Sequence, residues 1–589
     1  MKQCSQNMLS YRYIIKIKSM KNYINKLKDL IYYYNLDGYI VPKNDEYFSE
    51  YANPDRLEKI SNFNGSAGLA IILINKNYLF VDGRYTIQAK KQAGTKFKII
   101  QIPNSSPKEE LKKFKKKMNL GFDPKLFTNI SLARNFGDSA NLLPISVNLI
   151  DKIGISKIKE FKNNYFYTLP EKIVGETVNS KINRLINELK NKKIDNIFIS
   201  APENVAWLLN IRGKDNPYSP IPNSNLILTK NREIYLFCNK KKINKIINKY
   251  IYKKFKFFDP NDFFKVINNL SGNNFCIDYL TCSTYHQFLM SSKFKIKSYI
   301  DPCYTMKAIK NNIEINNMIK AHEYDGAALT KFLYWIKKNK AKNITELSAE
   351  KKLEIFRRKN KYYISPSFNT IAGAGPNSAI IHYKANKKTN RKIFKKDIFL
   401  CDSGGQYKYG TTDVTRTLCF DSPSKKIKDR FTRVLKGHIA VINTNLNKIK
   451  TGKEIDIQAR KFLKKINLDY SHGTGHGVGF YLNVHEGPQS ISKFNQVPLK
   501  PGMILSNEPG YYEENKFGIR IENLIYIKKL KKNIFFENLT FAPIDVDLID
   551  FKLLSKNEKN YLNNYHSQTY NKLAKYLNGK EKKWLLNLI

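Results

Sequence analysis

At 589 residues the chain is too long for one hydrophobic core, and about three domains is the expectation. Apolar residues make up 42% of it, which excludes a disordered chain, and no run of about 18 apolar residues occurs, which excludes a helical membrane span. The formal charge of +52 invites a nucleic-acid reading, but the lysines of "KKFKKKMNL" and "CNKKKINKI" are scattered and form no arginine-rich stripe. Lys, Asn, Ile, Tyr and Phe are abundant together, as A/T-rich codons would make them, so no specific nucleic-acid partner is expected.

The first twenty residues are basic and acid-free, with a short apolar patch "YRYIIKI". A transit peptide would be richer in arginine, so a start upstream of Met20 is the simpler reading. The seven cysteines (Cys4, Cys238, Cys276, Cys282, Cys303, Cys401 and Cys419) form no CxxC pair. Reduced thiols in a cytoplasmic protein account for that pattern better than a disulfide framework.

Next comes an internal repeat. "LDGYIVP" carries Asp37 as its second residue and is followed by "NYLFVDGRY"; "IDNIFIS" carries Asp195 there and is followed by "EIYLFCN". Asp37 and Tyr78 are 41 residues apart, and Asp195 and Tyr235 are 40 apart. Each unit reads as a helix, a buried strand, a loop and further strands, which makes two α/β domains of one design. A new style begins near residue 305, where Leu329, Phe332, Leu333 and Ile336 fall at i, i+3, i+4 and i+7, the spacing of one buried helix face. From about residue 393 the text turns to strands and turns, and all the candidate chemistry lies there.

In "DIFLCDSGG", Asp402 shares a strand face with Ile398 and Leu400. Asp413 follows eleven residues later, after the turn signal "YG", so two antiparallel strands would set the two carboxylates side by side. One buried aspartate is most often a capped or ion-paired structural residue. Two that face each other repel unless positive charge stands between them. Glu508 closes the strand of "ILSNEPG", and Glu522 alternates with Ile521 in "FGIRIENLIYI", with Arg520 on its face. "HGTGHGVGFYLNVHEGP", residues 472–488, holds three of the eight histidines among five glycines. With His476 from that stretch, Asp402, Asp413, Glu508 and Glu522 carry a formal charge of −4, which two divalent cations would neutralise. Oxygen-dominated ligation favours Mn²⁺, with Zn²⁺, Co²⁺ or Fe²⁺ able to compete, and a metal pair is a known device for activating a shared water.

Four segments, "NTIAGAGPNSAIIHY", "DSGGQYKYGTTDVTRT", "HGTGHGVGFYLNVHEGP" and "NEPGYYEENKFGIRIEN", closely resemble the pita-bread metallopeptidases, in the long three-domain form of the aminopeptidase P type. "ISNFNGSAGLAIILI", "LFVDGRY" and "VAWLLNIRG" resemble that form's N-terminal domains, and "PIDVDLIDFKLLSKNEKNYLNNYH" resembles its C-terminal extension. The resemblance implies an α/β (α+β) fold with two creatinase-like N-terminal domains, 21–165 and 166–305. A pita-bread catalytic domain over 306–525 and an extension over 526–589 follow, with 1–20 outside the pattern. It implies Asp402, Asp413, His476, Glu508 and Glu522 as ligands of two metals, usually manganese, with Glu508 also taking the proton of the bridging water. His382 and His485 would flank the scissile bond, and His472 would wall a proline pocket with Tyr512 and Arg520. The glycines would let the backbone pass close to metals and peptide.

The implied activity is release of the first residue from peptides with proline second, by metal-activated hydroxide attack, in a homodimer. A prolidase-type dipeptidase and a methionine aminopeptidase share the fold; the long-form tail argues against the first and the two extra domains against the second. A non-catalytic homologue that binds peptide or nucleic acid would have lost ligands, and a structural scaffold explains none of the inward carboxylates.

Overall fold

The computed structural model describes residues 22–154, 164–249, 251–340 and 342–589. The segment 1–20, which stands outside the pattern of the resemblance, falls outside them. The chain divides into two compact units. One gathers Met1–Tyr167, Ile182–Asn216 and Pro222–Asp301; the other gathers Thr168–Lys181, Pro217–Ile221 and Pro302–Ile589.

The first unit confirms the repeat. It holds two six-stranded mixed sheets with the same strand order. In one, Lys98–Ile102, Asn77–Asp82, Leu69–Leu73, Gly38–Pro42, Met118–Phe122 and Ala140–Pro144 lie side by side. In the other the corresponding strands are Lys256–Phe258, Ile234–Phe237, Asn225–Thr229, Asn196–Ile199, Asn274–Asp278 and Lys295–Tyr299. The central strands Gly38–Pro42 and Asn196–Ile199 are buried along their whole length, because each is flanked on both edges and covered on both faces.

The repeated aspartate has a structural task. Asp37 accepts the Asn119 N–H at 2.8 Å, and Asp195 accepts the N–H groups of Asn273 at 2.8 Å and Asn274 at 3.0 Å. Each carboxylate thus fastens the start of the central strand to the start of its parallel neighbour. Lys230 donates to Asp195 at 2.7 Å, and this bond with the two backbone donors holds the Asp195 carboxyl down to about 2. A depressed carboxylate stabilises above its unfolded value near 4, and that contribution is lost as pH falls through about 2. Asp195→Ala is therefore expected to cost about 1–2 kcal/mol at pH 7. The difference from wild type should close between pH 4 and 2 in urea denaturation; an equal gap at pH 7 and pH 2 would remove the carboxylate charge as its source.

In the second unit the expected helix runs Asn312–Lys338, started by Asn311, which accepts the Glu314 N–H while Glu314 reaches back to the Asn311 N–H. Its apolar face, Leu329, Phe332, Leu333 and Ile336, packs on Phe399, Cys401, Val414 and Leu418 of the strands that carry the aspartates. From another side, Phe431, Val434, Leu435 and Ile439 of helix Lys425–Ile442 pack against Ile398, Ile519 and Ile521. Between these helices lie a three-stranded sheet of Ile371–Ala374, Phe399–Ser403 and Val414–Leu418, and a five-stranded one. The latter orders Glu486–Ile491, Gly475–Gly477, Ile504–Asn507, Asn523–Leu530 and Asn533–Asn538.

Candidate metal centre

The two aspartates ride on one antiparallel hairpin whose register pairs Asp402 with Thr415 and Gln406 with Thr411. Extending that register sets Asp413 opposite Gly404. The carboxylates therefore share a face but stand diagonally, two positions apart, instead of directly opposite. The difference arises at Gly404, where a Cβ would come within 2.0 Å of the Thr412 carbonyl oxygen; the strands close tightly there and set the register.

Glu508 and Glu522 come from the other sheet. Strand Ile504–Asn507 pairs with Asn523–Leu530, and its last rung is Asn507 with Asn523, so both glutamates leave the sheet at one level. His476 lies on Gly475–Gly477, where the register to Glu486–Ile491 shifts in a bulge that re-aims its ring. Gly475 and Gly477 are small for a local reason: a Cβ would meet the carbonyl oxygens of Ser506 at 2.0 Å and Glu486 at 2.2 Å. Close approach to neighbouring strands by itself requires these two glycines.

The structure brings the set together. Donor atoms of Asp413, His476 and Glu522 lie within 4.8 Å of one another. His476 Nε2 is 3.4 Å from Asp413 Oδ2 and 3.6 Å from Glu508 Oε1. Its Nδ1–H donates to the Gly477 carbonyl at 2.9 Å, which fixes the ring with Nε2 facing the carboxylates. Asp402, Asp413 and Glu522 are buried, and Glu508 and His476 form a more open side. Asp402 Oδ1 and Asp413 Oδ1 are buried and, among the described residues, have no hydrogen-bond partner.

Burial, opposed by Arg520 and reinforced by Asp413, pushes Asp402 up to about 7. Burial and then the charges of Asp413, Glu508 and Asp402 push Glu522 well above the carboxylate range. Burial pulls His476 down, but Asp413 and Glu508 outweigh it and raise the ring to about 9. Crowded carboxylates that hold protons, with orphaned oxygens among them, are a donor set short of positive charge, and divalent cations fit it.

Arg520 pairs with Asp402, Nη2 to Oδ2 at 2.6 Å, and donates to the Tyr512 hydroxyl at 2.6 Å and Thr415 Oγ1 at 3.1 Å. His472 Nε2 is 2.9 Å from the same Tyr512 hydroxyl, so His472, Tyr512 and Arg520 form one connected wall. The His485 ring lies 4.2 Å from the His476 ring, centroid to centroid. His382 is half-buried, four residues beyond Ser378, whose hydroxyl accepts the Gly518 N–H at 2.7 Å.

Some supporting residues are absent from the sequence reading. Thr415 donates to Glu522 at 2.8 Å, and Ser506 donates to Glu508 at 3.1 Å. Arg460 holds the histidine loop through the carbonyls of Tyr470 at 2.7 Å and His472 at 2.6 Å. Thr415 lies within a quoted segment as a hydroxyl two residues beyond Asp413, a faint signal; Arg460, on helix Gly452–Lys464, carries none.

Residues 316–529 match the model of metallopeptidase family M24, and 533–588 match the C-terminal region of peptidase M24. Residues 24–151 and 157–314 match two models of the creatinase/prolidase N-terminal domain. Fold and site thus define a metallopeptidase with two creatinase-like N-terminal domains. A probable Xaa-Pro aminopeptidase P of Paracoccidioides brasiliensis is 37% identical, over 95% of this chain and 97% of its own length. Xaa-Pro aminopeptidase 1 of Dictyostelium discoideum is 35% identical over 96% of each. A solved X-prolyl aminopeptidase from Caenorhabditis elegans, described as a cytosolic enzyme with a dinuclear active site, superposes with a TM-score of 0.91. It is 30% identical and the match covers 97% of this chain and 99% of that one. The chain belongs to the Xaa-Pro aminopeptidase P family of M24 metallopeptidases.

Proposed function

We propose that this metalloaminopeptidase removes the first residue from peptides with proline in second position, using two divalent ions. The observation that carries the reading is the convergence of Asp413, His476 and Glu522 within 4.8 Å, beside orphaned aspartate oxygens, in a chain of this family. Asp402, Asp413, His476, Glu508 and Glu522 would hold the ions, manganese first, with zinc, cobalt or iron able to compete. When bound, the pair supplies a water of lowered pKa and polarises the scissile carbonyl.

The chain's own residues do the rest. Glu508, on the open side, takes the attacking water's proton and passes it to the departing proline nitrogen. His382 and His485 flank the carbonyl and hold the charge that develops on its oxygen. His472, Tyr512 and Arg520 wall the proline ring, and Arg520, through its pair with Asp402, opposes the upward push of burial on that carboxyl. Removal of metal by a chelator is expected to abolish cleavage, and Mn²⁺ add-back to restore it with two ions bound per chain. Cleavage that survives stripping would overturn the metal mechanism, and saturation at one ion would overturn the pair.

The proposed domain division is 21–165, 166–305, 306–525 and 526–589; family matches over 24–151, 157–314, 316–529 and 533–588 support four regions in that order. A homodimer is part of the proposal, read by light scattering. The free cysteines Cys238, Cys276, Cys282, Cys303, Cys401 and Cys419, and the cytosolic relative from Caenorhabditis elegans, support a cytosolic location.

A further inference from the structure

Behind the two glutamates lies a buried polar layer that no step above uses. The last sheet rung, Asn507 with Asn523, is joined by covalent bonds to both glutamates: Asn507 precedes Glu508 and Asn523 follows Glu522. Each asparagine is held by a different buried side chain. His438, on helix Lys425–Ile442, donates from Nδ1 to the Asn507 carbonyl at 3.1 Å, and Asn507 Nδ2 donates back to the His438 carbonyl at 2.9 Å. Arg416 donates to Asn523 Oδ1 at 2.8 Å and to the Glu522 carbonyl itself at 2.6 Å.

Arg416 is 1% exposed and holds two parts of the chain at once. Toward the hairpin it reaches the Thr415 carbonyl at 2.8 Å. On its far side it donates to the carbonyls of Ala542 at 2.8 Å and Pro543 at 3.0 Å, and to the Tyr565 hydroxyl at 2.9 Å. Those three acceptors belong to the C-terminal region, and Tyr565 sits on helix Lys556–Leu573. Tyr565 in turn donates to the Ala542 carbonyl at 2.8 Å, and His566 accepts the Ile544 N–H at 3.1 Å, so the helix is fastened to the segment that Arg416 grips. A guanidinium spends its planar donors on fixed acceptors, which makes the backbone at Glu522 a rigid point.

We propose that Arg416 and His438 are positioning residues that set the placement of Glu522 and Glu508 through the Asn507–Asn523 rung, and that the C-terminal extension completes this device by supplying Tyr565, Ala542 and Pro543. The inference rests on reading the two glutamates as metal ligands. Outer partners of metal ligands typically govern affinity by about 10–100-fold.

Wild type, Arg416→Lys and Tyr565→Phe would be prepared metal-free and titrated with Mn²⁺ against a fluorescent chelator, with melting temperatures recorded without metal. Arg416→Lys keeps the charge and loses the fork, so Mn²⁺ affinity should fall by about 10–100-fold, with kcat lowered and KM for an Xaa-Pro peptide held. Tyr565→Phe, which removes one hydroxyl bonded to Arg416, should shift affinity in the same direction by less. A purely structural role would lower the metal-free melting temperature and leave the affinity of the folded protein at the wild-type value. Wild-type Mn²⁺ affinity in both variants would overturn the inference; if Arg416→Lys fails to fold, Tyr565→Phe decides alone. Failure of the wild type itself to bind Mn²⁺ would instead overturn the ligand reading, and this inference with it.

Discussion

Asp413→Asn is expected to abolish peptide cleavage, with kcat/KM reduced at least about a thousandfold, while the metal-free protein stays folded. Metal catalysis contributes several kcal/mol, and each ~1.4 kcal/mol is tenfold in rate. Asp413 has one oxygen 3.4 Å from His476 Nε2 and the other buried without a partner, so both are placed for ligation and neither is needed for packing. An amide is a poor ligand and carries no charge. Its neutrality also relieves the repulsion that pushes Glu522 upward, so the empty site should be no less stable than in wild type. Three measurements test this: kcat/KM, bound manganese by elemental analysis, and the melting temperature of stripped protein. Full activity, or a full complement of manganese, would sink the role of Asp413.

The second expectation concerns the residue after the scissile bond. Arg-Pro-Pro should lose its first residue at least about a hundredfold faster than Arg-Ala-Ala. The His472 and Tyr512 rings meet edge to face at 5.5 Å, and the Tyr512 hydroxyl is held by both His472 and Arg520. Arg460, through the carbonyls of Tyr470 and His472, keeps the loop behind that wall from yielding. Proline has no N–H to offer, so discrimination comes from the fit of its ring and the placement of the carbonyl, where an error of about 1 Å costs roughly a hundredfold. Blocking the N-terminal amine should stop cleavage. Equal rates for the alanine peptide would show that no proline pocket exists, and cleavage confined to dipeptides would move the activity to the prolidase type.

The buried strands of "LDGYIVP" and "IDNIFIS", and their spacing to the following strands, were enough to read two copies of one α/β design. Strand patterning is a local property, and a repeat displays it twice. The candidate metal ligands were legible for a second reason: four carboxylates beside one imidazole call for cations to balance their charge, and charge depends on residue type. The function of the repeated aspartate was not legible, since the N–H groups it accepts belong to a strand 82 residues away from Asp37 and 78 from Asp195.

Partners of the buried cations were out of reach in the same way. Arg520 was read as sharing a face with Glu522 and walling a substrate pocket, which its bond to Tyr512 supports, yet its closest carboxylate is Asp402, 118 residues earlier. Arg416 stood inside a quoted segment without notice, and Tyr565, which it grips, lies 149 residues on. The sequence by itself determined which elements form, which faces they bury, and which group of residues is a candidate for metal, because propensity, periodicity and charge act on the residues that carry them. Only the tertiary structure decided the diagonal placement of Asp402 and Asp413, the rung behind Glu508 and Glu522, and which buried cation meets which acceptor. The first two depend on how tightly neighbouring strands close and in what register, and the last on the packing of elements more than a hundred residues apart, such as Arg416 and Tyr565; no local pattern records either.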